Sequence, residues 1–100
     1  MSAFHITATV TLSEDVPQPK SGGIKSGYAP HHKFVNVNYL VSGFHSYPDE
    51  QTHYPGESIP AKIVFPSWEF FGDTVSVGDR FEILEMGRLV GEGIVQSISN

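Results

Sequence analysis

The chain has 100 residues, no cysteine and a formal net charge of −5. That length suits one compact domain able to bury a core of its own. The absence of cysteine excludes a disulfide framework, a thiolate metal site and a cysteine nucleophile, and the acidic balance argues against general binding of phosphate backbone.

The elements follow in chain order. Met1–Val10 has neither a basic n-region nor a continuous apolar run, so no signal peptide is expected there. Phe4, Ile6, Ala8, Val10 and Leu12 instead alternate with His5, Thr7, Thr9 and Thr11, the period of a half-buried strand. Ser13–His32 holds Pro17, Pro19, Gly22, Gly23, Gly27 and Pro30, a density of breakers that predicts a long loop pinned by its own contacts or used for function. Phe34–Val41 is predicted as a strand with Val35, Val37, Tyr39 and Val41 on one face. Gly43–Gly56 mixes aromatic and turn residues and predicts a hairpin or an irregular strand. Ile59–Phe65 is a further strand, with Pro60 at its edge and Pro66 closing it. Ser67–Gly72 gathers Trp68, Phe70 and Phe71, which suit a core plug or a binding lip. Thr74–Val77 is read as a short strand. Phe81–Glu85 and Leu89–Ile98 form the last two strands around a Met86-Gly87 turn.

No segment has helical period over ten residues, and none approaches the ~20 apolar residues that span a bilayer. Six or seven short strands with regular turn signals predict a closed barrel or sandwich. Gly91 and Gly93, two apart on one face of the last strand, require close approach of another backbone or a bend in the barrel.

Charge is uneven. The first 48 residues carry +1, with Lys20, Lys25 and Lys33 in or beside the long loop, and the remainder carries −6. The five histidines (His5, His31, His32, His45 and His53) read as solvated or capping loop residues. No carboxylate and histidine spacing defines a metal site, and no Gly-x-Ser-x-Gly elbow stands beside Ser42, His45 and Ser46. No catalytic residue and no cofactor site is assigned. Arg88 is read as tying the last hairpin to neighbouring carbonyls or as touching a partner.

The segment Gly78–Val95, with Arg80-Phe81, Met86-Gly87-Arg88 and Gly91-Glu92-Gly93, resembles the close of the third domain of translation elongation factor Tu. The likeness continues in order through Leu12-Ser13-Glu14-Asp15, Gly22-Gly23, Gly27-Tyr28-Ala29-Pro30, the strand ending on Gly43, and Pro55-Gly56. It implies an all-β fold over residues 1–100: a closed six-stranded antiparallel barrel standing alone. No phosphate-binding Gly-x-x-x-x-Gly-Lys-Ser/Thr loop is present, so no nucleotide is expected.

In that family the third domain packs on the GTPase domain and touches the T stem of aminoacyl-tRNA. The matching positions here are Lys25 and Ser26 and the hairpin Glu85, Met86, Gly87 and Arg88. Ile24-Lys25-Ser26 replaces an Arg-His-Thr, Ala29 replaces an arginine, and Met86 replaces a glycine. Loss of guanidinium forks weakens a phosphate surface most, so weak or no tRNA binding is expected. The resemblance implies a cytoplasmic, non-catalytic binding module that docks a protein partner, of the translation apparatus or a toxin aimed at it. Lys20, Lys25, Lys33, Glu85, Met86, Gly87 and Arg88 would form its surface. A weak tRNA- or RNA-binding domain is the alternative.

Overall fold

The structure is a computed structural model and describes residues 4–99; residues 1–3, the start of the segment read for a signal peptide, lie outside the description, as does residue 100. The strands are β1 (Ile6–Leu12), β2 (His31–Phe34), β3 (Val41–Ser42), β4 (Phe44–Ser46), β5 (Ser58–Val64), β6 (Arg80–Glu85) and β7 (Arg88–Ile98). A one-turn helix α1 (Trp68–Phe71) and a 3-10 turn (Gly72–Thr74) join β5 to β6. All strand pairs are antiparallel, in the order β3-β2-β6-β7-β1-β5-β4.

The two outer strands of that order, β3 and β4, are neighbours in the chain, separated by Gly43 alone. The sheet therefore curls back on itself. Backbone bonds continue the β2–β3 ladder past that glycine: Gly43 N–H to Pro30 O (3.2 Å), His45 N–H to Tyr28 O and Gly27 N–H to His45 O (2.8 Å each). The result is a β-barrel whose potential edges satisfy each other, which removes the exposed edge that invites aggregation. The sheet has seven strands where six were expected. Gly43 divides the seam segment because it sits against the His32 and Phe65 rings, where a Cβ would lie 2.8 Å from each.

The alternating pattern of β1 translates directly into burial: Ile6, Ala8, Val10 and Leu12 point inward and are at most 1% exposed. Ile59, Ala61 and Ile63 of β5 lie beside them on the same inward face, paired with Val10, Ala8 and Ile6. Pro60 lies outside the β4–β5 pairing, which ends at Ser46–Lys62, so its missing N–H costs no ladder bond. Two further expectations fail locally. The strand placed over Phe34–Val41 is a turn from Val35 to Leu40. The Lys33 ammonium bonds the carbonyls of Phe34 and Val37, and Val37 N–H bonds Phe34 O (3.2 Å), so the chain folds back beyond β2. Val35 and Tyr39, expected to share a face with Val37 and Val41, are exposed while those two are buried. The strand placed over Thr74–Val77 is also absent, since the 3-10 turn carries the chain there.

The close of the barrel explains its glycines. A register shift between Ile83 and Leu84 leaves Val90 as the extra residue of a bulge, so Val90 and Gly91 both turn inward. A Cβ on Gly91 would stand 2.6 Å from Thr11 O, and one on Gly93 would stand 2.2 Å from the buried Phe81 ring. Both glycines are thus close-approach sites, as their spacing suggested. Gly93→Ala is expected to cost about 1–3 kcal/mol by overpacking. Urea denaturation checks it: Phe81→Leu in the Gly93→Ala background should recover part of the loss, and an unperturbed Gly93→Ala would refute the close contact.

Candidate functional site

One end of the barrel collects the long loop, the loop between β4 and β5, and the β6–β7 hairpin. Glu85, the last residue of β6, organises it. Its carboxylate accepts from Lys20 Nζ (3.0 Å), from the Tyr28 hydroxyl and from Arg88 Nη2 (3.3 Å). Burial opposes ionisation of Glu85, but Tyr28, Lys20 and Arg88 outweigh it, and the carboxyl is held below its ordinary range. The same contact works in reverse on Tyr28, whose burial and bond to Glu85 raise its hydroxyl pKa. The long loop is thereby clamped to the hairpin. Arg88 ties to a carboxylate, not to carbonyls, and its Nε is buried without a hydrogen-bond partner.

The turn beyond the clamp is tight. Met86 (φ 51°) and Gly87 (φ 81°) both occupy left-handed backbone, as a two-residue hairpin of this twist requires. Met86 carries a side chain in a conformation that disfavours one. That side chain is 95% exposed. Beside it runs a groove of about 290 Å³ lined by Tyr28, Ala29, Pro30, His31, Leu84, Glu85 and Met86.

The expected surface residues therefore divide. Lys20, Glu85, Met86, Gly87 and Arg88 come together, but Lys20, Glu85 and Arg88 are engaged with one another. Lys25 lies exposed in the same loop. Lys33 does not join them: it belongs to the opposite end, where its ammonium holds the Val35–Leu40 turn.

The histidines hold the largest surprise. His32 and His45, expected in solvent, are 0% and 1% exposed, and His53 is buried as well. His32 on β2 and His45 on β4 meet across the seam with their Nε2 atoms 2.7 Å apart. The protons in this chain of bonds are fixed by its ends. Val41 O can only accept, so His32 Nδ1 (3.1 Å away) carries a proton. In a neutral ring His32 Nε2 then accepts, and His45 Nε2–H donates to it. His45 Nδ1 is left as an acceptor for the Tyr47 hydroxyl at 2.8 Å. With both rings neutral, this one arrangement satisfies every polar atom of the pair. Burial enforces this: it lowers His32 to about 4, and burial together with His32 lowers His45 well below its ordinary value. Phe65, Phe81 and Tyr28 pack around the pair.

His53 is the opposite case. It bridges Glu57 through Nδ1 (3.0 Å) and Asp49 through Nε2 (2.9 Å), and those two carboxylates raise its pKa. Its backbone pairs with Ile24, which fixes the long loop a second time. The one signal that could have placed His32 inward is its spacing two residues before core Phe34, and a strand of four residues beside so many breakers is too short to show it. Tyr28 had no local signal, because its partner Glu85 is 57 residues away in the chain.

Among the described residues, no three His, Asp or Glu side chains converge to hold a metal ion, and no helix is long and apolar enough to cross a membrane. Fold and site define a small all-β barrel with a clamped loop and an outward hairpin. No family model matches the chain. It is 28% identical over 71 residues to glycogen-binding subunit 76A of Drosophila melanogaster; the match covers 71% of this chain and 10% of that protein. The chain thus spans about a tenth of the length of that curated relative.

The histidines set an acid dependence. His32 and His45 take up protons in the unfolded chain that they refuse when folded, so stability falls as pH drops from 6.5 toward 4. His53, whose folded pKa is raised, contributes stability that is constant below 6.5 and lost as pH rises through its folded value. The carboxylates with lowered pKa act only once pH falls below about 4.5. The urea midpoint should therefore fall between pH 6.5 and 5, and His45→Gln should flatten that slope. A midpoint constant over this range contradicts a neutral buried pair.

Proposed function

We propose that the chain is a non-catalytic binding module that docks a protein partner through the hairpin end of its barrel. The observation that carries this is Met86: an apolar side chain 95% exposed, in left-handed backbone, on a hairpin clamped from below by Glu85. A rigid apolar anchor beside a groove has the form of an interface hot spot. Lys25, exposed in the clamped loop, supplies rim charge. Among the described residues, no cluster at this end combines a nucleophile, a base and an oxyanion site.

The finer reading is a stand-alone barrel resembling the third domain of elongation factor Tu. Taking β3, Gly43 and β4 as one bent strand gives the six that the resemblance implies, and Tyr28 and Arg88, both in its motifs, bind Glu85. On this reading the partner belongs to the translation apparatus or acts upon it, and the module works in the cytoplasm. The partial match to a glycogen-binding subunit is compatible with a binding module within a larger protein. The tRNA alternative is the weaker one, since Lys20 and Arg88 spend their charge on Glu85 and leave Lys25 to face a phosphate backbone.

A photo-crosslinking residue placed at Met86, with one at Gln96 as control, tests the surface in native lysate. A discrete protein adduct should form from position 86 alone, and Lys25→Glu should lower its yield several-fold by weakening the rim. An adduct to RNA would favour the alternative. Equal labelling from both positions, or none, would overturn the surface.

A further inference from the structure

The end of the barrel opposite the hairpin carries a second feature. α1 is a single turn, anchored on both sides. Trp68 stacks on His5 (5.1 Å, 9°) and on Phe65 (5.8 Å, 21°), and Phe71 packs between Phe34 and Phe65 with 2% exposure. Between these anchors Phe70 faces outward, 76% exposed. Across from it, the Val35–Leu40 turn is held by the Lys33 ammonium and by buried Val37. That turn presents Tyr39, about half exposed, and two asparagines, Asn36 and Asn38. Asn36, Asn38, Tyr39, Phe70 and Thr74 line one small groove of about 100 Å³ with Val37 and Phe71 at its floor.

The chemistry of this lining is narrow. Its rim has the rings of Tyr39 and Phe70 and two carboxamides, each with two donors and an acceptor, and its lining has no carboxylate, ammonium, guanidinium or imidazole. An anion or cation would enter without a counter-charge and lose its hydration uncompensated. A ligand with apolar C–H faces and a dense array of neutral hydroxyls meets both features: the faces lie on the rings, and vicinal hydroxyls pair with the carboxamides. We propose that this groove binds a neutral hexose oligosaccharide. The site shares no residue with the hairpin surface, and it neither needs nor excludes a protein partner there.

The groove is shallow, so a Kd of order 1 mM is the scale to expect. Titration of the 15N-labelled chain with maltoheptaose, and separately with cellohexaose, reads it by amide shifts. At least one sugar should shift residues 36–40 and 70–74 saturably and leave the hairpin unmoved. Phe70→Ala and Asn38→Ala, both exposed and so compatible with a native spectrum, should each weaken binding at least about fivefold. No saturable shift with either sugar at about ten times that Kd overturns the proposal. So do shifts confined elsewhere, or variants that bind like the parent. Shifts at the same residues on raising protein concentration without sugar would assign the patch to a second copy and also overturn it. Since Met86 and Lys25 take no part, failure here leaves the crosslinking result untouched.

Discussion

The hydrogen bond between His32 and His45 is the constraint on which the rest of this barrel leans. A curled sheet must close its last two strands, and here they are the halves of one segment bent at Gly43. The bend is tight because that glycine touches His32 and Phe65. Two imidazoles then fill the space behind it. Each is rigid, planar and able to donate at one nitrogen and accept at the other. Together with Val41 O and Tyr47 the two neutral rings form a directed chain in which one arrangement of protons satisfies every atom. An apolar pair would fill the same volume without fixing the register of β2 against β3 and β4. A charged pair could not be buried there at all.

From that seam the functional end follows. Residues Gly27 to Pro30 reach β2 only by running beside Gly43 and His45, which delivers Tyr28 to the hairpin and lets its hydroxyl meet Glu85. Lys20 and Arg88 complete the carboxylate's shell. A loop of nearly twenty residues, rich in breakers, thus becomes a fixed wall under Met86. Its second tie, His53 between Asp49 and Glu57 and paired with Ile24, has the opposite electrostatics from the seam: a histidine that gains by charging. One small domain uses imidazole in both states because one site is dry and unpaired and the other is flanked by carboxylates.

Much of the fold was legible in the sequence. Strict alternation marked β1 and β5, and the Met86-Gly87 pair marked the hairpin, because those signals are local. Gly91 and Gly93 announced a close approach whose partners, Thr11 and Phe81, only the fold could name. The Phe34–Val41 strand failed because alternation of Val and Asn is satisfied equally by a turn once Lys33 caps its carbonyls. The surface set was half legible. Its hairpin members are adjacent in sequence, whereas Lys33 was joined to them by charge and lies at the other end. The histidine seam was read as solvent because its strands are two to four residues long, too short to show a period.

The tautomers of the seam test this picture most directly. Long-range 1H–15N spectra of labelled imidazoles at pH 6 report which ring nitrogen carries the proton. His32 should be neutral with its proton on Nδ1, and His45 neutral with its proton on Nε2. A charged ring at that pH, or His32 protonated on Nε2, would contradict a barrel closed through this bond.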